Sequence, residues 1–208
     1  MNRSFRRLAV APIALALMGA SVAVAGASNS AESPKPRANA VDRAFVREMV
    51  PHHRMAVEMA RMAVEKAEHQ EIQSTAEDII RTQGREIRQL RKIARRLNVK
   101  PAAMGDHEQM MEDAETLGLT MEEMGMSMDM SMLEDADPFD REFIGMMITH
   151  HQGAIRMARS ERRDGRHRRL RAIAKHVIRA QSKEIRQLNR WRERWYGEES
   201  PSGGVPQD

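Results

Sequence analysis

Two pairs of adjacent histidines, His52-His53 and His150-His151, lie in stretches that repeat one another. FVREMVPHHRMAVEMAR, starting at Phe45, returns as FIGMMITHHQGAIRMAR, starting at Phe143, at a constant offset of 98 residues. Methionines recur with the histidines. Met49 stands four residues before His53, Met147 four before His151 and Met146 four before His150, while Met59 and Met157 follow at matched positions. On a helix, residues three or four apart are neighbours. An imidazole with a thioether one turn away is half of a site for a soft monovalent metal, because thioether sulfur suits Cu(I) or Ag(I) and not Zn or Mg. Adjacent helical residues point about 100° apart, so one histidine pair cannot easily chelate one ion. Four histidines from two equivalent helices then complete either one site or two. Taken singly, each methionine reads more simply as core packing, and it is the joint repetition of histidine and methionine that favours metal.

A second signal lies between the repeats. MEEMGMSMDMSM spaces Met121, Met124, Met126, Met128, Met130 and Met132 mostly two apart among Gly, Ser and Asp. That alternation fits neither a helix face nor a tight core, and the segment is too polar to fold alone. Several thioethers on such a strand can wrap a Cu(I) ion two or three sulfurs at a time. The bland alternative is a methionine sink that scavenges oxidants as sulfoxide.

The elements that must position these groups are helical. Phe45, Met49, His52, Ala56, Met59 and Ala63 recur at spacings of three and four, with Asp42 in the N-cap position and Pro51 expected to kink or open the turn before His52. A second helix spans 70–97 with Ile72, Ala76, Ile79, Ile87, Leu90 and Ala94 on one stripe and Gln83 interrupting it. The same offset continues through it: about 21 of 55 positions from Asp42 onward are identical in the second copy, which marks an internal duplication. Two homologous hairpins bury their apolar faces most simply as a four-helix bundle. The expected organisation is a signal peptide over 1–25, a flexible leader over 26–41, one hairpin over 42–99, a Met-rich acidic insert over 100–139, a second hairpin over 140–197 and a disordered tail over 198–208. The second hairpin carries 16 Arg/Lys against 6 Asp/Glu, so the acidic insert is expected to lie against it. Gln83 and Glu86, with Gln181 and Glu184, fall at matching heights on the partner helices. The glutamines are expected to orient imidazoles and the glutamates to balance charge. His69 and His167 also repeat and are read as caps first and accessory ligands second.

Composition narrows the chemistry. Arg3, Arg6 and Arg7, an apolar run and Ala23-Val24-Ala25 read as a secretory signal, with no stable membrane span after cleavage and a periplasmic or secreted destination. The chain has no cysteine, which excludes a disulfide framework and a thiolate metal site, so sulfur must come from methionine. Without the signal the basic and acidic residues nearly balance, which argues against nucleic acid as a partner. No Glu-x-x-His occurs in the chain, which removes the usual di-iron carboxylate chemistry of helical bundles. Neither a phosphate-binding loop nor a serine nucleophile motif is present, and a non-enzymatic role is expected.

The tandem MVPHHRMAVEMA and MITHHQGAIRMA, each followed by Q-x-x-E-I, resembles domain-of-unknown-function family 305, similar in fold to ferritin-like bundles and including CopM-type periplasmic copper-binding proteins. The resemblance implies an all-α, ferritin-like four-helix bundle. It further implies copper sequestration, Cu(I) or Cu(II), through Met49, His52, His53, Met59, Met147, His150, His151 and Met157. Arg54-Met55 departs from the Gln152-Gly153 of the second copy. The expected function is an exported copper-binding protein that buffers or delivers copper, with a copper exporter or another envelope copper protein as the candidate partner. The alternatives are a structural or adaptor bundle of the envelope and, third, a metal oxidase.

Overall fold

The computed structural model describes residues 38–103 and 106–207, and every regular element there is helical. The signal segment and most of the leader lie outside the described residues. The helices are α1 (Ala40–Lys66), α2 (Gln70–Leu97), α3 (His107–Leu117), α4 (Ser131–Glu134), α5 (Phe139–Asp164) and α6 (Arg168–Tyr196). Helix α1 pairs with α2 and α5 with α6, while α1 and α5 meet at the centre. Phe45, Met49, Ile72, Ile79 and Leu90 from one hairpin and Phe143, Met147, Val177 and Leu188 from the other fill the core, none more than 1% exposed. Each large side chain so buried contributes about 1.5–3 kcal/mol.

The helix starts tie the two hairpins together. The N-cap of α1 is Asn39, not Asp42. Asn39 accepts from the Asp42 backbone N–H and Asp42 accepts from that of Asn39, a reciprocal capping box. Buried Asp42 also reaches across the bundle, accepting from the backbone N–H groups of Arg166 (3.1 Å) and His167 (2.8 Å). Its counterpart Asp140 accepts from those of Glu68 (3.2 Å) and His69 (2.8 Å). Each hairpin therefore satisfies the free donors at the turn of the other. His69 and His167 are indeed the N-caps of α2 and α6.

Pro51 does not break α1, which stays continuous past it. A proline at this position leaves the Arg47 carbonyl without its helical donor, and the N–H of Ala102 donates to that oxygen at 3.2 Å. The insert is thus fastened to α1 where it begins. Its helix α3 packs chiefly on α1 and lightly on α5, while α4 packs on α5, so the insert lies across α1 and α5 and the expected contact with the second hairpin is made by α5, not by the arginine-rich α6. Met110, Ala114 and Leu117 form an apolar stripe that needs apolar surface, and Arg47 pairs with Asp113 at 2.6 Å. Arg168, Arg171, Arg179 and Arg186 of α6 face solvent instead.

The tail departs from its expected disorder through 207. Gln152, buried on α5, donates to the carbonyls of Ser202 (2.8 Å) and Gly204 (2.7 Å), Asn189 donates to Gly203 O, and Arg159 donates to Pro206 O. Its glycines, serines and prolines supply no core, but their carbonyls satisfy donors on α5 and α6.

Candidate metal centre

His52, His53, His150 and His151 are all fully buried, and the 100° between neighbours sends each pair in two directions. His52 and His150 turn inward from α1 and α5 and meet, with ring centroids 3.7 Å apart and planes at 35°. His53 and His151 turn to their own hairpin partners. His53 Nε2 donates to Glu86 Oε2 on α2 at 2.8 Å, and His151 Nε2 donates to Glu184 Oε2 on α6 at 2.7 Å.

The inner pair is anchored by backbone. His150 Nε2 donates to the carbonyl of His52 at 2.9 Å, and His52 Nε2 donates to the carbonyl of Met124 at 3.0 Å. A carbonyl can only accept, so both neutral rings carry their proton on Nε2. The two carboxylates impose the same tautomer on His53 and His151. In all four rings Nδ1 is buried and without a hydrogen-bond partner, and in the neutral ring it is a bare lone pair. Buried polar atoms are nearly always satisfied, and an imidazole whose other nitrogen donates to a carbonyl or carboxylate is the usual arrangement of a metal ligand. Burial, reinforced by the neighbouring imidazoles, pushes His52 and His150 well below the ordinary histidine range, so both stay neutral. Burial pushes Glu86 up, but the hydrogen bonds from His53 and His176 outweigh it and hold the carboxyl below its usual value.

Met124 reaches His52 because of Gly153. A Cβ at 153 would lie 2.1 Å from Met124 O and 2.7 Å from Gly125 N, so only glycine lets the insert backbone cross α5 there. Gly125 itself has φ +68° and lies against the carbonyls of Thr149 and His150. The strap breaks the twofold relation between the hairpins, because it places the Met124 carbonyl where His52 finds its acceptor. This gives the Met55-to-Gly153 difference between the repeats its physical reason.

Met49, Met59, Met147 and Met157 are fully buried in the same core. The six methionines of the 121–132 stretch are dispersed: Met124 and Met126 are buried, Met121, Met128 and Met130 pack partly covered against the core, and Met132 is exposed. Among the described residues no three carboxylate or imidazole groups are placed to hold one ion together, so the four histidines do not form a single four-nitrogen site. The orienting role expected of the glutamines falls to the glutamates. Glu86 and Glu184 orient the imidazoles, while Gln83 and Gln181 are buried with both amide atoms unpaired. The Met124 carbonyl and His176, which bonds Glu86 through Nδ1 at 2.7 Å, were missed as parts of the centre. The signals were Gly153 in place of Met55 and His176 in place of Asp78.

Comparison with known proteins places this arrangement. CopM in its Cu(I)-bound form is 35% identical with a TM-score of 0.62, the likeness covering 75% of this chain and 98% of that one. CopM in an Ag-bound form is 34% identical with a TM-score of 0.61, covering 75% and 97%. A DUF305 protein from Streptomyces coelicolor, 21% identical with a TM-score of 0.67 and covering 77% and 96%, shares the fold. A comparison with curated proteins finds no match. The DUF305 domain of unknown function matches residues 42–192, and with its duplicated histidine hairpins the chain belongs to the DUF305 family.

Proposed function

We propose that this chain is an exported, non-enzymatic protein that binds copper, with Cu(I) preferred and Ag(I) as its mimic, and that it buffers the ion or hands it on. The observation that carries this reading is the set of four buried Nδ1 lone pairs, each exposed to the interior because its ring's Nε2 is committed to a carbonyl or carboxylate. The neutral rings of His52 and His150 need release no proton to accept a metal. Since the imidazoles do not converge on one point, thioethers from Met49, Met59, Met147 and Met157 complete the ligand set. Such a mixed nitrogen and sulfur environment suits a soft monovalent ion. A buried cation is costly without compensating charge, and Glu86 and Glu184 supply negative charge just beyond the imidazoles. CopM, solved with Cu(I), with Cu(II) and with Ag, supports copper as the cargo. The methionines Met121 to Met132 form a more accessible second region, suited to capture from, or delivery to, an envelope copper protein.

Anaerobic titration of the protein with Cu(I) against a chromogenic chelator tests this. The expected result is competition that falls sharply when His52, His53, His150 and His151 are all changed to alanine. Competition no weaker in that variant removes the helical site. Deleting 121–132 is expected to lower the stoichiometry only in part. Absence of any copper uptake, with a melting temperature indifferent to added metal, would leave a structural bundle, since a ligand bound only to the native state must stabilise it.

A further inference from the structure

The two hairpins hold the same buried unit, an imidazole on a glutamate, yet one difference separates them. Glu86 Oε1 accepts a second hydrogen bond, from His176 Nδ1 at 2.7 Å. The duplicate of His176 in the other hairpin is Asp78, which pairs with Arg81 on its own helix at 2.6 Å and offers no donor to Glu184. Side-chain exposure along the first unit runs from 50% at His176 through 13% at Glu86 to none at His53. In the second unit Glu184, 26% exposed, itself joins buried His151 to solvent; in the first, Glu86 is more covered and His176 extends the chain of polar atoms outward, so only this unit carries an outer imidazole.

The outer end of this chain opens into a groove of about 670 Å³ between α2 and α6, lined by Arg85, Glu86, Lys92, Arg169, Ile173 and His176 among others. With Nδ1 given to Glu86, His176 presents Nε2 as a lone pair at the groove surface. This is the same carboxylate-oriented imidazole seen at the buried positions, turned to solvent. The inner pair lacks such access, because the Met124 strap lies over His52.

We propose that His176 is the outer ligand of a loading port, taking the metal on Nε2 in the α2/α6 groove and passing it inward to the His53 half of the centre. The proposal rests on copper binding as read above. Each step is a ligand exchange: a Cu–N bond forms at Nε2 as a bond to the donor's ligand breaks, and a bond to the buried imidazole then replaces it. Neither electrons nor protons are transferred. The rim of the groove carries Arg85, Lys92 and Arg169, which repel a bare cation and attract an anionic Cu(I) complex, so the metal arrives bound to anionic ligands.

Stopped-flow loading under anaerobic conditions from the anionic bathocuproine disulfonate complex of Cu(I) tests the port in the wild-type chain, in His176→Ala and in Asp78→His. The wild type is expected to load in two phases, because only one hairpin has the outer imidazole. His176→Ala is expected to lose the fast phase, with a rate roughly tenfold lower. Asp78→His, which puts an imidazole on α2 at the position equivalent to His176 and so supplies the outer ligand for the Glu184–His151 unit, is expected to speed the slow phase. If His176→Ala loads as fast as the wild type, or Asp78→His loads no faster, the port is wrong. The second variant decides even if His176→Ala folds poorly. Failure of the wild type to take up copper at all would instead overturn the functional reading beneath it.

Discussion

Replacing Gly153 by alanine sets two effects of opposite sign against each other. A glycine inside a helix costs about 1 kcal/mol relative to alanine, so on propensity alone Gly153→Ala stabilises α5. The added methyl, however, would sit 2.1 Å from Met124 O, 2.3 Å from Met124 C and 2.7 Å from Gly125 N, all backbone atoms that cannot turn aside. The strap must lift. Exposing the Met124 side chain, fully buried in the wild type, costs about 1.5–3 kcal/mol. Leaving the buried His52 Nε2–H without its acceptor costs about 1–3 kcal/mol more. After the helix gain, the net loss is roughly 1.5–5 kcal/mol, which for a domain of this size lowers the melting temperature by about 3–20 °C. Gly84→Ala is the control, since its methyl meets only the flexible Arg88 guanidinium at 3.8 Å, and it is expected to raise stability by up to about 1 kcal/mol. Thermal unfolding of the three proteins provides the comparison. If Gly153→Ala melts at or above the wild-type temperature, the strap does not cross α5 as described and does not hold His52.

Burial, reinforced by Asp42, pushes Glu161 from 4.5 up to about 9. The folded state therefore binds a proton that the unfolded state has released between those values, and stability from this group falls as pH rises from 4.5 towards 9. Urea midpoints of Glu161→Gln and wild type are expected to converge near pH 5 and to separate progressively up to pH 9, the variant being the more stable; parallel curves would contradict the buried, protonated carboxyl. Glu184→Gln removes the charge behind His151 and is expected to weaken Cu(I) affinity about 10–100-fold in chelator competition. Unchanged affinity would show that this carboxylate does not support a ligand.

The duplicated hairpins were legible because helix periodicity and an ungapped offset both report directly on backbone and core. Phe45 with Phe143 and Met49 with Met147 had to share an environment once the repeat was seen. The 100° step between adjacent histidines also foretold that each pair would divide its roles. What the sequence hid were contacts made by main-chain atoms. Ala102 N–H, the Met124 carbonyl and the carbonyls of Ser202 and Gly204 belong to segments whose side chains announce nothing, so neither the insert's hold on α1 nor the course of the tail along α5 is readable from the sequence. That Glu86 and Glu184 rather than Gln83 and Gln181 hold the imidazoles is decided by helical phase, which periodicity does not fix to a single residue. Asp42 was placed as a cap for its own helix, whereas most of its hydrogen bonding serves the opposite hairpin, a pairing visible only once the two turns are close in space.

The central claim is that the bare Nδ1 atoms of the buried histidines are the metal-binding nitrogens while every Nε2 keeps its proton. Long-range 1H–15N correlation spectra of the imidazoles, recorded on apo protein and on protein loaded with Cu(I) or Ag(I), test it atom by atom. The account predicts Nε2–H tautomers for His52, His53, His150 and His151 before loading, and metal-induced shifts at Nδ1 with Nε2 still protonated afterwards. Coordination through Nε2, or four imidazoles unmoved by bound metal, would contradict it.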